Sequence, residues 1–313
     1  MRIRNIYVHV TKACNLRCGY CYYSASKPSP DELSTAELAG LWRDLALIVP
    51  EKVIITGGEP MLRPDLLQVL KALNDQVTNT RTIVCLNSNG HFFTEEGVWN
   101  LRPLVSEFRL SLDALEAANN KLRGNGNFSA VLRAIDLLRR AGITPRMLVT
   151  VSDDGASDLP ELLKLLTGLG ITKISFNTVR AVGRARGREW MTSDQVAPIL
   201  GLRPDLISEQ DQINCGVGSF INVMSNGDVF PCHVLTHPEF KCGNLRSERL
   251  TEMCLPNQLL HSLSKLSFSE MANGHGEFQH LTKRGVCLGE VCRTDIERNK
   301  LFQIMCDRRT DSC

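Results

Sequence analysis

Short apolar runs rich in β-branched residues recur through the first 180 residues, with stretches of helical period between them. The runs predict strands over residues 5–10, 52–56, 81–87, 107–112, 145–151 and 173–177. The punctuation between them places the helices. Ser34 and Glu37 form a capping box that opens a helix running toward Ile48. Further helices are expected after Pro64, Thr94, Ser129 and Asp158, with Gly142 placed to cap the one begun at Ser129. Six strand–helix units in order predict an α/β fold with a parallel sheet and helices outside it. Six are too few to close an eight-stranded barrel, so an open, partial (β/α)6 TIM-like barrel is expected, with its chemistry at the C-terminal strand ends.

The pattern changes near residue 200, dividing the chain into residues 1–200 and 201–313. The second part starts with a hairpin signal: an apolar run over 219–224, the turn Ser225-Asn226-Gly227-Asp228, and a second run over 229–232. The stretch around 271–285 is rich in Gly, His and polar residues and reads as a loop.

Composition narrows the function. A hydrophobic fraction of 43% suits a globular core, and a net charge of +2 gives no field that would select nucleic acid. No apolar run approaches the roughly 20 residues a bilayer span needs, and the first residues show no export signal. A cytoplasmic, reducing setting is therefore expected, with no membrane partner. There, twelve cysteines point to metal ligation before disulfides. Cys85, inside an apolar run, reads as a buried strand residue.

Directly after the first strand stands Cys14-Asn15-Leu16-Arg17-Cys18-Gly19-Tyr20-Cys21. Three thiolates on one loop can take three corners of a [4Fe–4S] cube and leave the fourth iron open. A structural zinc site is the rival reading, but zinc usually takes four ligands in paired spacing. The C-x₃-C-x₂-C run with an aromatic residue before its last cysteine resembles the motif of the radical S-adenosylmethionine superfamily. That resemblance implies a bound S-adenosylmethionine on the open iron and a 5′-deoxyadenosyl radical. It puts Tyr20 beside the adenine. Thr56-Gly57-Gly58-Glu59-Pro60 resembles the segment that binds the methionyl amino group, where glycines admit close backbone approach and Glu59 can accept from the ammonium. Ser88 and Asn89 after the third strand, and Ser111 and Asp113 after the fourth, resemble positions that bind the ribose or the carboxylate. Each also fits a plain strand-end turn. Arg123, before Gly124, matches a further family segment, and residues 179–185 resemble another without its usual proline.

The C-terminal part resembles the auxiliary-cluster modules called SPASM and twitch domains. Cys215 precedes the hairpin, Cys232 closes it, and Cys242-Gly243-Asn244-Leu245 follows. With Cys287 and Cys292, Cys215 and Cys232 imply one auxiliary [4Fe–4S] cluster of twitch type in preference to the two of a full SPASM domain; two clusters, or a zinc site on the same four cysteines, are the alternatives. Cys306 and Cys313 receive no role. Cys254 and Cys242 are candidate hydrogen donors in an epimerisation.

The resemblance implies hydrogen abstraction from a substrate C–H bond, leading to oxidation or epimerisation, with a flavodoxin- or ferredoxin-like external electron donor. A polar small molecule (a sugar, an aminocyclitol or an aminoglycoside-like antibiotic intermediate) is the expected substrate. A ribosomal peptide, matured or epimerised, is the alternative. A non-enzymatic iron–sulfur electron carrier is the reading from another class, against which the Gly57-Gly58-Glu59 segment argues, since a carrier needs no cosubstrate site.

Overall fold

The computed structural model describes residues 3–180, 182–188, 190–191, 198 and 219–254. Six parallel strands alternate with helices. They are β1 (Asn5–His9), β2 (Lys52–Thr56), β3 (Ile83–Ser88), β4 (Glu107–Ser111), β5 (Arg146–Val151) and β6 (Ile174–Thr178). Three more follow, β7 (Phe220–Val223), β8 (Asp228–Phe230) and β9 (Gly243–Asn244). All nine form one sheet, in the order β6-β5-β4-β3-β2-β1-β7-β8-β9. β7 runs parallel to β1, with Asn5 opposite Phe220 and Val8 opposite Val223, and the β7–β8 hairpin is antiparallel. The parallel sheet is thus an open six-stranded arc that the hairpin extends at the β1 edge.

The helices are α1 (Thr35–Ile48), α2 (Leu66–Val77), α3 (Glu95–Leu101), α4 (Glu116–Arg123), α5 (Asn127–Arg140) and α6 (Leu159–Gly168). Ser34 and Glu37 close the expected capping box on α1, and Thr94 caps α3. α5 ends before Gly142, which has a φ of 74°. The sequence pattern does not announce α4. It is short and polar, and its N-cap, Leu115, offers no side-chain acceptor.

Alternation along the strands splits the sheet into two faces. Ile6 and Val8 of β1, Val53 and Ile55 of β2, Met147 and Val149 of β5 are fully buried beneath the helices. The other face is polar and tied across strands. Arg109 Nε donates to Glu107 Oε1 at 2.6 Å, Arg146 Nε lies 3.2 Å from the same oxygen, and Arg146 donates to Ser175 Oγ at 3.3 Å. These residues tie β4, β5 and β6 together on that face. Among the described residues no helix is long and apolar enough to cross a membrane.

Candidate active site at the C-terminal strand ends

The loop after β1 holds Cys14, Cys18 and Cys21, all as free thiols. Its shape is set by partners from several strand ends. Thr11, at 3.0 Å, and the backbone N–H groups of Lys12, at 2.6 Å, and Ser29, at 2.9 Å, all donate to Glu32. From the β6 end, the Arg184 backbone N–H donates to Cys21 O at 3.0 Å, while its guanidinium donates to Cys18 O at 2.9 Å and Ala25 O at 2.8 Å. On sequence alone Arg184 fits a solvated loop charge equally well; in the fold it braces the cysteine loop. Gly183 makes this contact possible. With φ at 60°, a Cβ there would fall 2.4 Å from Cys21 O and 2.3 Å from Tyr22 O.

The β2 end packs onto the same loop. Gly58 N–H donates to Thr11 O at 2.8 Å and Glu59 N–H to Ala13 O at 2.7 Å. A Cβ on Gly58 would stand 2.0 Å from Ala13 O, so only glycine fits. Pro60 opens a single 3₁₀ turn, Pro60–Leu62, capped by the Glu59 side chain. Glu59 is fully buried, and its oxygens are taken: Oε1 accepts from Ser88 Oγ at 2.9 Å and Met61 N at 3.1 Å, Oε2 from Asn89 N at 2.7 Å. Burial pushes its pKa up to about 7 against those three donors. The side chain therefore bolts the β2 end to the β3 end, and three protein donors already occupy the oxygens expected to meet an ammonium. Ser88 is likewise turned inward. Asn89 faces the cysteine loop: its Nδ2 donates to Asn15 Oδ1 at 2.7 Å and lies 4.0 Å from Cys14 Sγ.

Asp113, just past β4, is the hub of a second buried network. Arg123, at the end of α4, grips it with a fork, Nε to Oδ2 at 2.7 Å and the second nitrogen to Oδ1 at 2.9 Å. Tyr20 donates its hydroxyl to Oδ2, and Thr150 N–H donates to Oδ1 at 2.8 Å. The Arg123 guanidinium also lies 5.5 Å from the Tyr20 ring centroid. Asn119 and Asn127 carry the network on to Asn89 O, through bonds of 3.0 and 2.8 Å. Asp113, Arg123 and Tyr20 thus lock the cysteine loop to β4, α4 and β5. Sequence reasoning found these three but missed Asn119 and Asn127, because α4 carries no recognisable start. Ser111 ends β4 half-buried on the polar face.

Burial lifts the Cys14 thiol to about 11 and raises that of Cys18, the latter opposed by the nearby cations of Arg123 and Arg184. Cys18 and Cys21 lie near enough to Cys14 to add to that rise. Among the described residues no three His, Cys, Asp or Glu side chains converge on one ion-sized point. A [4Fe–4S] cube asks for something different, one thiolate at each of three separate corners. Three unpaired soft donors on one braced loop fit that demand.

Cys232 ends the hairpin, buried beside the polar face of β1. Its neighbour His233 packs against Tyr7 at 5.7 Å and Tyr22 at 5.3 Å between ring centroids, and Tyr22 directly follows Cys21. His9 joins the group through Tyr22, whose hydroxyl lies 3.4 Å from its Nε2, and Asn222 Oδ1 lies 2.9 Å from the same nitrogen. Burial drives both His9 and His233 down to about 4, so they are neutral at physiological pH. Cys215, Cys287 and Cys292, and with them Cys306 and Cys313, lie outside the described residues.

Cys254 and Cys242, the candidate hydrogen donors, are both packed on the helix side of the sheet. Cys254 sits in the short helix Leu250–Cys254, which packs on α1 through Asp44: Arg249 Nε and Leu250 N–H donate to it at 3.0 and 2.8 Å. Cys254 is part of the hydrophobic core and Cys242 packs against that core, with both thiols pushed to about 12, chiefly by burial. They occupy the helix side of the sheet, not its polar face.

Residues 8–176 match the family model described as the radical SAM superfamily. The chain is similar to the mycofactocin maturase MftC of Mycolicibacterium smegmatis, 28% identical over 267 residues, a match spanning 76% of this chain and 66% of that protein. It is also similar to the AdoMet-dependent heme synthase of Oleidesulfovibrio alaskensis, 25% identical over 316 residues, which span 87% of this chain and 79% of that one. Among solved structures, native anSMEcpe with bound AdoMet and Cp18Cys peptide superposes with a TM-score of 0.73 at 17% identity, covering 99% of this chain and 98% of that one. That likeness establishes the shared fold.

Proposed function

This chain belongs to the radical S-adenosylmethionine superfamily, and from that premise we propose that Cys14, Cys18 and Cys21 hold its [4Fe–4S] cluster and that its substrate is a peptide. When bound, the cluster and S-adenosylmethionine supply a 5′-deoxyadenosyl radical that takes a hydrogen atom from a substrate carbon. The observation that carries the cluster assignment is the brace itself: Arg184, Glu32, the Gly58 backbone and Asp113 through Tyr20 all fix the loop bearing these three thiols.

The residues of the chain then divide the work. Glycines 57 and 58 bring the β2 end up against the cysteine loop, where the methionyl end of the cosubstrate would lie. Glu59 and Asp113 act as positioning residues, one joining β2 to β3, the other joining the loop to β4 and β5. Asn89 and Ser111 keep polar groups near the strand ends for the ribose or carboxylate. Cys232, with Cys215, Cys287 and Cys292, would hold an auxiliary cluster. The hairpin supports this by bringing Cys232 to the polar face next to Tyr22.

The peptide reading rests on the maturase relative and on the near full-length fold shared with a structure that holds a peptide. The small-metabolite expectation stands as the second reading, on the similarity to a heme synthase. Anaerobic reconstitution tests the enzyme: S-adenosylmethionine should yield 5′-deoxyadenosine under dithionite, with about eight irons per chain if both clusters form and about four if only the first does. Cleavage that survives Cys18→Ala would remove the cluster assignment. A cell extract that stimulates 5′-deoxyadenosine formation should lose that effect after protease treatment. Stimulation that outlasts the protease would restore the small molecule.

A further inference from the structure

The polar face of the sheet carries charge that the cysteine loop does not use. Alternation puts Lys52, Arg109 and Arg146 on this face, with Glu107 as the carboxylate among them. Glu107 is ionised: burial raises its carboxyl, but Arg109 and Arg146 beside it bring it below its usual value. Three cations thus stand against one anion. They are close together. Arg109 Nε donates to Glu107 Oε1 at 2.6 Å, and buried Arg146 Nε, 3.2 Å from the same oxygen, has no hydrogen-bond partner among the described residues. The Cys85 thiol, 3.9 Å from Glu107 Oε1, is lifted to about 11 by burial, with Arg109, Lys52 and Arg146 working against that rise and Glu107 adding to it. Arg146 and Glu107 keep 20% and 15% of their side-chain surface exposed, so a ligand can reach the group. Two guanidiniums that share one carboxylate hold surplus charge, and a second carboxylate would match them one to one.

Strand register brings an acceptor to the same cations. Asn87 of β3 stands opposite Arg109 of β4, which stands opposite Arg146 of β5. Asn87 Nδ2 donates to Thr56 Oγ1 at 3.4 Å, while its buried Oδ1 accepts from no described group. One row across three strands therefore offers an amide acceptor beside two guanidiniums. Burial raises the Tyr7 phenol and the Arg109 charge opposes that rise, which sets Arg109 near Tyr7. Tyr7 leads back to the cysteine loop through His233 and Tyr22, at 5.7 and 5.3 Å between ring centroids.

We propose that Arg109, Arg146 and Asn87 form a specificity site that binds a carboxylate of the substrate together with the N–H group beside it. This deepens the peptide reading above and rests on it. A peptide supplies that pair of groups in two places, at its C-terminal residue and at an acidic side chain. The guanidiniums take the carboxylate, with Lys52 adding to the field, and Asn87 Oδ1 accepts the neighbouring N–H. Bound there, the substrate is tethered below the strand ends, and its next atoms rise toward the loop that bears the three thiols.

The test is isothermal titration of the reconstituted full chain, with and without S-adenosylmethionine, by three blocked amino acids. N-acetylglycine carries a chain-end carboxylate, the α-amide of N-acetylaspartic acid a side-chain carboxylate, and N-acetylglycinamide no charge. At least one of the two acids should bind about tenfold or more tightly than the neutral amide, and the tighter one identifies the source of the carboxylate. Arg146→Gln should remove that preference. Glu107→Gln takes away the anion that competes for the same cations and should tighten binding of the preferred acid about tenfold. A clasp that serves only to hold β4 to β5 predicts no such gain. Acids that bind wild type no better than the amide, or a Glu107→Gln protein that binds them no tighter than wild type does, would overturn the site. Acid binding seen only without S-adenosylmethionine would overturn it too, because the cations would then serve the carboxylate of the cosubstrate. Where Arg146→Gln does not fold, Glu107→Gln decides. The peptide reading fails by a different result: stimulation by extract that outlasts protease removes the peptide, while acid binding by wild type keeps the carboxylate site for a smaller substrate.

Discussion

Glu59 shows how a single buried carboxylate can hold two strand ends together. Three donors from Ser88, Asn89 and Met61 converge on it, and among the described residues its hydrogen-bond network contains no cation. Glu59→Gln replaces one acceptor oxygen by an N–H₂ group, and that group then confronts either the Asn89 N–H or the other two donors. The change should destabilise the metal-free chain by about 1–3 kcal/mol at neutral pH, read from urea unfolding. Its pH dependence has a definite sign. The folded pKa lies at about 7, above the ordinary 4.5, so within that window the folded chain holds a proton that the unfolded chain has released. Glu59 therefore lowers wild-type stability as pH rises from about 4.5 to about 7. The glutamine variant cannot titrate and should lose this part of the slope; parallel stability curves for the two proteins across that window would show that Glu59 does not carry it.

At the scale of elements, the site is a set of strand ends held at contact distance, and glycine sets that distance. Gly183→Ala would drive a methyl into the carbonyls of Cys21 and Tyr22. The turn must then move off the cysteine loop and take the Arg184 brace with it. Reconstituted Gly183→Ala should bind less iron and melt lower than wild type; full iron at an unchanged midpoint would mean the brace is dispensable. The six parallel strands and the hairpin were legible in the sequence because each couples a β-branched run to an unambiguous breaker, as residues 52–56 do with Gly57-Gly58. The three cysteines were legible because their spacing is local. The polar cross-links were not. Asp113 finds Arg123 ten positions on, through a helix with no sequence start, and Arg184 reaches Cys18 from the far side of the arc. Contacts made by tertiary approach leave no period to read. The place of Cys254 on the helix side of the sheet was illegible for the same reason, since its position in the chain said nothing about which side it would face.

The molecule as a whole continues one sheet from the arc into the hairpin. Sequence divides the chain near residue 200, yet β7 pairs in parallel with β1, the very strand that leads into the cysteine loop. Side chains bind the two regions as well: His9 to Asn222, Tyr23 Oη to Ser225 Oγ at 2.8 Å, and Arg246 Nε to Glu37 Oε1 at 2.7 Å. Cutting at residue 200 would leave β1 with an open row of backbone donors and acceptors and would strip buried His9 and Tyr23 of their partners. A fragment of residues 1–200 should therefore aggregate or unfold, and should hold less iron per chain than the full protein's first cluster requires, as judged by gel filtration and iron analysis. A monomeric fragment that keeps about four irons would show that the arc folds by itself. The auxiliary region would then be an attachment instead of a wall of the fold. On the present geometry it is a wall: the strand that delivers the cysteine loop is an interior strand only because the hairpin covers its edge.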